Sequence, residues 1–530
     1  VRHASSIGLA LLLAAAGCAV LDVDEPEAGP DAGEPIAPAV MSPSLAPVPL
    51  DDALSPFEHA VGEQMEAVAK ITVEVQAWEG SELASHGSGV FVSADGDVLT
   101  AAHVVKDKAR IHRVVLPNGQ SRIAEVVARD EAHDAALLRA IGAPTPFVRL
   151  PAHPRPLGEW VVCAGHAGTV ADDRVPTRSA GVIVERAYTW ITWERRQSTT
   201  WREALVKGPT HHGMLRVDCA TAPGMSGGPI VTLDGELVGV VVGSHGIASP
   251  IEAIRHLLPA ASRAPIAAET IPRASLPSAP APVSGADGRP SRAAAFHPLF
   301  ASTGAERSVV ELEIMRPLVR HFPAVLVSST GLAVVPAVRV TSLAQPGDTV
   351  PPESISVMGH PDARCTEIVA VRGELALIRL SGLVAAEGEE GAAPANGLRP
   401  VGPAGAVATG AIIAAVNGTA QRSTGFVTAV ERRPGSVAPP APPVLRGGCG
   451  HRSTMFHQAF PAVIVSAALA HDADMPEYGS LLVDRHGRPV ALEVASRAEG
   501  VDFAVPWSDV VGRFEAWMGR SSPPVNRGDE

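Results

Sequence analysis

The chain has 530 residues, more than one hydrophobic core usually holds, so about two to four domains are expected. Apolar residues make up 46% of it, which excludes a wholly disordered chain. The net charge of −13 supplies no electrostatic footprint for nucleic acid.

At the N-terminus, Arg2 and His3 precede "IGLALLLAAA", an apolar run of about ten residues. A membrane-crossing helix needs roughly 20, so the layout is that of an export signal. The run leads into "AAGC", ending at Cys18. Small residues before a cysteine resemble the bacterial lipobox, in which the signal (here 1–18) is removed and the cysteine is acylated. That resemblance implies lipid on Cys18 as the only membrane attachment. An ordinary signal with an incidental cysteine is the alternative. Ala19, rather than Asp, follows Cys18. The bacterial sorting rule then implies the cell envelope, at the outer membrane or in the periplasm. Residues 19–56 are rich in Pro, Ala, Asp and Glu and contain no Lys or Arg, the composition of a disordered tether.

Two stretches of similar length follow, 57–262 and 301–520. Runs such as "AKITVEVQAW", "GSGVFVS", "WVVCAG" and "ELVGVVVG" have strand length and β-branched composition and are bounded by turn residues. Helical periodicity is clear only in "SPIEAIRHLLPA" and "SDVVGRFEAWMG". An all-β barrel or sandwich fold is expected. A Pro/Ala-rich linker over 263–300 separates the stretches, and 521–530 forms a tail. The stretches resemble each other in register. "VSADGDVLTAAHVV" matches "VSSTGLAVVPAVRV", "DAALLRAIG" matches "ELALIRLSG", "TRSAGVIVERA" matches "QRSTGFVTAVER", and "IVTLDGELVGVVV" matches "LVDRHGRPVALEV". Four matches in one order argue for the same fold twice.

Cys163 and Cys219 share the first stretch, and Cys365 and Cys449 the second. A disulfide in each, or buried free thiols, fit equally. No CxxC or HExxH spacing offers a metal site. His211 and His212 read as loop residues rather than ligands.

Acyl transfer on a serine needs a base, a group that orients the base, and donors for the oxyanion. "LTAAHVV" offers His103, "AHDAALLRA" offers Asp134, and "APGMSGGP" offers Ser226. Singly, each has a bland reading as a buried histidine, a turn carboxylate or a turn hydroxyl. Together, "GSGVFVSADGDVLTAAHVV", "HDAALLRA" and "APGMSGGPIVTLDGELVGVV" resemble the signature blocks of the trypsin-like (chymotrypsin-fold) serine endopeptidases, in the flavour of their HtrA (Deg) branch. The resemblance covers 57–262. It implies a pair of six-stranded antiparallel β-barrels with the active site between them. By motif, it assigns Ser226 as nucleophile, His103 as general base and acid, and Asp134 as the residue orienting the imidazole. It implies an oxyanion hole at the N–H groups of Gly224 and Ser226. Ala220, Ser244 and His245 are expected around the primary pocket, favouring small or medium apolar residues; His245 could instead select acidic ones, or simply face solvent. Met225 stands where digestive members carry Asp, so no clasp for a new N-terminus is implied. No PDZ-like segment follows, so peptide sensing of the HtrA type is not implied.

In the second stretch, His103 aligns with Val338, Asp134 with Glu374, and Ser226 with Tyr478 or, across a gap, with Ser480. Valine takes no proton, so the second stretch is expected to be a tandem chymotrypsin-like domain without a triad, kept for binding, regulation or stability. The chain is thus expected to be an exported serine endopeptidase without cofactor or metal, acting on proteins or peptides. The competing reading is a non-catalytic envelope scaffold built on two protease-like domains.

Overall fold

Along both stretches, β-branched runs of four to ten residues alternate with Gly-, Asp- and Pro-bearing turns, a pattern that favours strand after strand. The computed structural model describes residues 55–105, 111–142, 146–167, 175–196, 204–259, 283–285, 288–300, 303–314, 320–340, 347, 349–351, 354–383, 398, 400–402, 404–405, 408–417, 422–432, 468–471, 479–498 and 501–518. The fold is mostly β. The first stretch forms two closed six-stranded barrels. One consists of β1 (Thr72–Glu79), β2 (Glu82–Phe91), β3 (Asp97–Ala101), β4 (Ile111–Val115), β5 (Ser121–Asp130) and β6 (Ala135–Ala140). The other consists of β7 (Trp160–Gly165), β8 (Thr177–Arg196), β9 (Ala204–Val217), β10 (Pro229–Thr232), β11 (Leu237–Gly243) and β12 (Ile247–Pro250). Closure leaves no strand edge exposed to pairing.

A short hairpin, β13 (Val283–Ser284) with β14 (Pro290–Ser291), leads to two further closed six-stranded sheets. The third holds β15 (Val309–Ile314), β16 (Arg320–Leu326), β17 (Leu332–Pro336), β18 (Ile355–Val357), β19 (His360–Arg372) and β20 (Leu375–Ser381). The fourth holds β21 (Ile412–Val416), β22 (Arg422–Arg432), β23 (Ala468–His471), β24 (Leu481–Asp484), β25 (Pro489–Ala498) and β26 (Val501–Pro506). In all four, the first strand pairs with the second and fourth, and the third with the sixth.

Four helices complete the described fold: α1 (Pro56–Ile71), α2 (Ile251–Ile254), α3 (Arg292–Phe300) and α4 (Trp507–Met518). Helix α1 is unforeseen from strand patterning, yet its start carries a full capping box. Ser55 Oγ accepts from the Glu58 N–H, while the Glu58 carboxylate accepts from the Ser55 N–H, and Pro56 opens the first turn. The run "AKITVEVQAW" therefore splits, its first three residues ending α1 and the rest opening β1.

The two stretches share one core. The rings of Phe57 on α1, Trp160 on β7, Phe296 on α3 and Phe426 on β22 meet with centroids 5.0 to 6.4 Å apart, Trp160 stacked on Phe296 and edge-on to Phe426. Nearby, buried Glu58 Oε1 accepts from the Ile412 N–H of the fourth barrel at 2.9 Å, and its Oε2 lies 3.4 Å from Arg485. Arg292 is fully buried; its side chain donates to the Ala180 carbonyl at 2.7 Å and its N–H to Asp218 Oδ2 at 2.5 Å. The expected linker over 263–300 thus ends early. Its last part is a hairpin and a helix whose Phe296 and Phe300 are buried.

Cys163 and Cys219 are free, buried thiols, as is Cys365. Burial, then the neighbouring Cys163 thiol, pushes Cys219 well above its ordinary value, and burial raises Cys365 to about 12. These are inert packing groups. The expected signal peptide with Cys18, most of the tether, Cys449, Tyr478 and the tail lie outside the described residues.

Candidate active site

The site is built where the first barrel meets the second. After β3 the chain turns through one 3₁₀ turn, Ala102–Val105, which carries His103. Asp134 closes the turn before β6 at φ +50°, a left-handed conformation that Asp tolerates better than most side chains. Register ties the two, because Ala101 pairs with Ala135 and the Ala102 N–H donates to the Asp134 carbonyl at 3.0 Å.

The Asp134 carboxylate is fully engaged. Its Oδ1 accepts from the His103 N–H at 2.9 Å, and its Oδ2 lies 2.6 Å from His103 Nδ1. A carboxylate accepts, so Nδ1 carries the proton and the Nε2 lone pair is left as a base. The Asp134 side chain is 9% exposed and that of His103 43%, so the orienting carboxylate is shielded while the imidazole stays open.

Ser226 sits in a turn packed on the same strands. The Ser88 N–H donates to the Ser226 carbonyl at 2.7 Å, and Ser88 Oγ donates to the Gly224 carbonyl at 2.8 Å while accepting from the His166 N–H. A Cβ at Gly87 would lie 2.6 Å from the side chain of Val104, next to His103, and 2.8 Å from the Ser226 carbonyl, so both segments pack against Gly87. Gly227, at φ +89°, bonds to the Val241 carbonyl at 2.6 Å, and a Cβ there would collide with Ser88 O and Thr100 Oγ1.

Among the described residues, the N–H groups of Gly224 and Ser226, Ser226 Oγ and His103 Nε2 have no hydrogen-bond partner. Ser226 Oγ therefore makes no direct bond to His103 here, an arrangement common before substrate draws such groups together. Unpaired N–H groups at Gly224 and Ser226 are the kind that stabilise an oxyanion, and an imidazole with a free lone pair is the kind that accepts a proton.

Around the expected pocket, Ala220 is half-buried and its N–H is held by Ser179 Oγ at 2.8 Å. Ser244 and His245 are exposed in the turn between β11 and β12, His245 at φ +61°. The loop expected for His211 is a strand. His211 lies on β9, buried, with its ring 5.1 Å from that of Trp190. Ser88 was missed from sequence, although its place in "HGSGVF" between two glycines marks a close backbone approach.

Matching register pairs recur in the second stretch. Pro336 pairs with Leu375 as Ala101 does with Ala135, and the Ala337 N–H donates to the Glu374 carbonyl as that of Ala102 does to Asp134. Val338 thus stands at the position of His103 and Glu374 at that of Asp134. The Glu374 carboxylate instead lies 2.9 Å from Arg513 on α4. Gly479, at φ +96°, donates to the Glu493 carbonyl as Gly227 does to Val241, and the Glu493 N–H donates to Ser480 as that of Val241 does to Gly228. This places Gly479 opposite Gly227 and Ser480 opposite Gly228. Pro323 takes the register position of Ser88 and has neither its N–H nor its hydroxyl.

Residues 87–240 match the family model of the trypsin-like peptidase domain. Among individual relatives, the mitochondrial serine protease HTRA2 of Bos taurus is 35% identical over 184 residues, covering 33% of this chain and 36% of that protein. The serine protease HTRA1A of Danio rerio is 32% identical over 214 residues, covering 37% of this chain and 40% of that protein. The chain thus spans about two fifths or less of the length of these relatives. The crystal structure of Deg5 aligns at 20% identity with a TM-score of 0.31, covering 38% of this chain and 94% of that one.

Proposed function

We propose that the protein is a serine endopeptidase with one working site, formed by Ser226, His103 and Asp134. In this reading Ser226 Oγ attacks a peptide carbonyl and its proton passes to His103 Nε2. Asp134 holds the imidazole in the Nδ1–H tautomer and stabilises the imidazolium that forms. The Gly224 and Ser226 N–H groups receive the oxyanion. His103 returns the proton to the leaving amine, and water then releases the acyl group by the same path. Ala220 lies at the pocket, with Ser244 and His245 at its rim. The substrates are proteins or peptides, in line with the serine protease relatives. The second stretch is a degenerate copy of the same fold, supported by the matching strand order and the replacement of all three positions. Export and lipidation at Cys18 complete the proposal and place the enzyme in the bacterial cell envelope.

The observation that carries the reading is the 2.6 Å contact of His103 with buried Asp134, together with the unpaired N–H groups of Gly224 and Ser226. A fluorophosphonate probe tests it, with a peptide-library digest alongside. The expected result is labelling and cleavage that both vanish in Ser226→Ala. An unlabelled wild type would favour the scaffold reading, and ester turnover without peptide cleavage would make the protein an esterase.

A further inference from the structure

The turn that presents Asp134 belongs to the first barrel, yet much of what holds it comes from the second. Asp130 closes the turn from its own side. Its Oδ1 accepts from the His133 N–H at 3.0 Å, and its Oδ2 lies 2.8 Å from His133 Nδ1 and 3.5 Å from His256 Nε2. From across the cleft, Ser249 Oγ on β12 donates to the His133 carbonyl. His211 on β9 places Nδ1 3.0 Å from the Ala132 carbonyl. A carbonyl only accepts, so His211 carries its proton on Nδ1, and this donor fixes the peptide two residues before Asp134.

His211 is itself held. It is 6% exposed and stacks on Trp190 of β8 at an interplanar angle of 28°. A Cβ on Gly243 would lie 3.0 Å from the Trp190 ring, so that ring rests against the last residue of β11. The chain from Gly243 through Trp190 and His211 to Ala132 therefore links the wall of the expected pocket to the backbone that aims the Asp134 carboxylate.

We propose that His211 is a positioning residue for the Asp134–His103 pair, acting through its hydrogen bond to the Ala132 carbonyl. This rests on the peptidase reading above for its consequence in turnover. The geometric part, that His211 sets the Asp134–His103 contact, does not. Asp134 is held in a left-handed conformation with both carboxylate oxygens committed, so a small rotation of the turn would lengthen both bonds to His103 together. Misplacement by about 1 Å in such a site can cost on the order of 100-fold in rate.

The test compares His211→Ala, His211→Asn and His211→Gln, each with Ser226 intact and in a Ser226→Ala background. The Asn amide N–H replaces Nδ1–H, whereas that of Gln reaches toward the place of Nε2. With Ser226 intact, His211→Ala is expected to lower kcat on a cleaved peptide about 10- to 100-fold with KM little changed, and to slow fluorophosphonate labelling in proportion. His211→Asn is expected to recover most of that loss, and His211→Gln little. In the Ser226→Ala background, the downfield proton resonance of His103 Nδ1 is expected in the parent and in His211→Asn, but broadened or shifted in His211→Ala. If His211→Ala fails to fold, the Asn and Gln pair gives the same ordering. Equal activity of the Asn and Gln variants, or a lowered melting temperature with kcat and the resonance unchanged, would overturn the proposal. A wild type without turnover would defeat the peptidase reading alone, since the resonance still reports on His211.

Discussion

Replacing Phe426 by Ala should weaken the barrel that carries Ser226, although Phe426 belongs to the other stretch. The ring is fully buried and lies 5.1 Å from Phe296, 6.1 Å from Trp160 and 6.4 Å from Phe57. Truncating a buried Phe costs about 3–5 kcal/mol in lost transfer energy and residual cavity. The edge-on contacts it makes with Phe296 and Trp160 can add about 0.5–1.5 kcal/mol each. Since whole domains are stable by about 5–15 kcal/mol, a loss near 4 is a large fraction of the total. Hydrogen exchange read peptide by peptide is the assay. Phe426→Ala should raise exchange in β7 and α1 as well as in β22. Phe322→Ala makes the control. It removes an equally buried ring from the separate core of the third barrel, and should leave β7 and α1 unchanged. If β7 and α1 keep full protection in Phe426→Ala while β22 loses it, the two stretches are independent bodies and the shared-core argument fails.

Gly227→Ala should abolish probe labelling and cost about 3 kcal/mol or more, because φ +89° strains an L-residue and the new methyl meets the Ser88 carbonyl; labelling and urea denaturation read the two effects separately. At Asp130, burial raises the carboxyl, but the His133 side chain and N–H and the His256 charge outweigh it and leave the group below its ordinary 3.8. A carboxyl lowered on folding adds stability above its unfolded value, and that share fades as pH falls through the lower folded value. Asp130→Asn should therefore lower the melting temperature at pH 7, with the gap from wild type narrowing toward pH 3. A gap that stayed constant would refute that assignment.

The first stretch was legible because its signals are local. Strand composition, the 3₁₀ turn after "LTAA" and the glycines around Ser226 each follow from backbone requirements that a short window of sequence displays. Helix α1 was hidden because its apolar stripe, Phe57, Val61, Met65 and Val68, packs against two barrels and includes buried Glu58, which breaks a simple amphipathic pattern. Its capping box was nonetheless readable. His211 could not be found this way. A histidine beside another histidine on a polar hairpin gives no sign that it stacks on Trp190 and reaches a carbonyl 79 residues earlier. Nor could Pro/Ala richness reveal that the end of the 263–300 segment folds. Phe296 and Phe300 supply the burial, and the neighbouring alanines allow close approach.

On the proposed reading of the second stretch as a degenerate copy, the difference from the first goes deeper than the replaced side chains. Ser88 supplies two donors, one to the Ser226 carbonyl and one to the Gly224 carbonyl, and these anchor the peptides on either side of the one that carries the Ser226 N–H. Pro323 at the matching register position can supply neither. Glu374 is occupied by Arg513 from α4, a helix that packs on β25 and β26 of the fourth barrel. Grafting only a histidine and a serine would thus meet a turn without its backbone support and a carboxylate already paired. What persists is what the fold needs: the glycine turn at Gly479, the strand register, and the face of β22 that buries Phe426 against Trp160. A pair of closed six-stranded sheets that retains this face is suited to buttressing its neighbour. Arg292, in the segment that joins the two stretches, adds a second tie: it binds Ala180 and also Asp218, which precedes Cys219 by one residue and Ala220 by two on the path into the Ser226 turn.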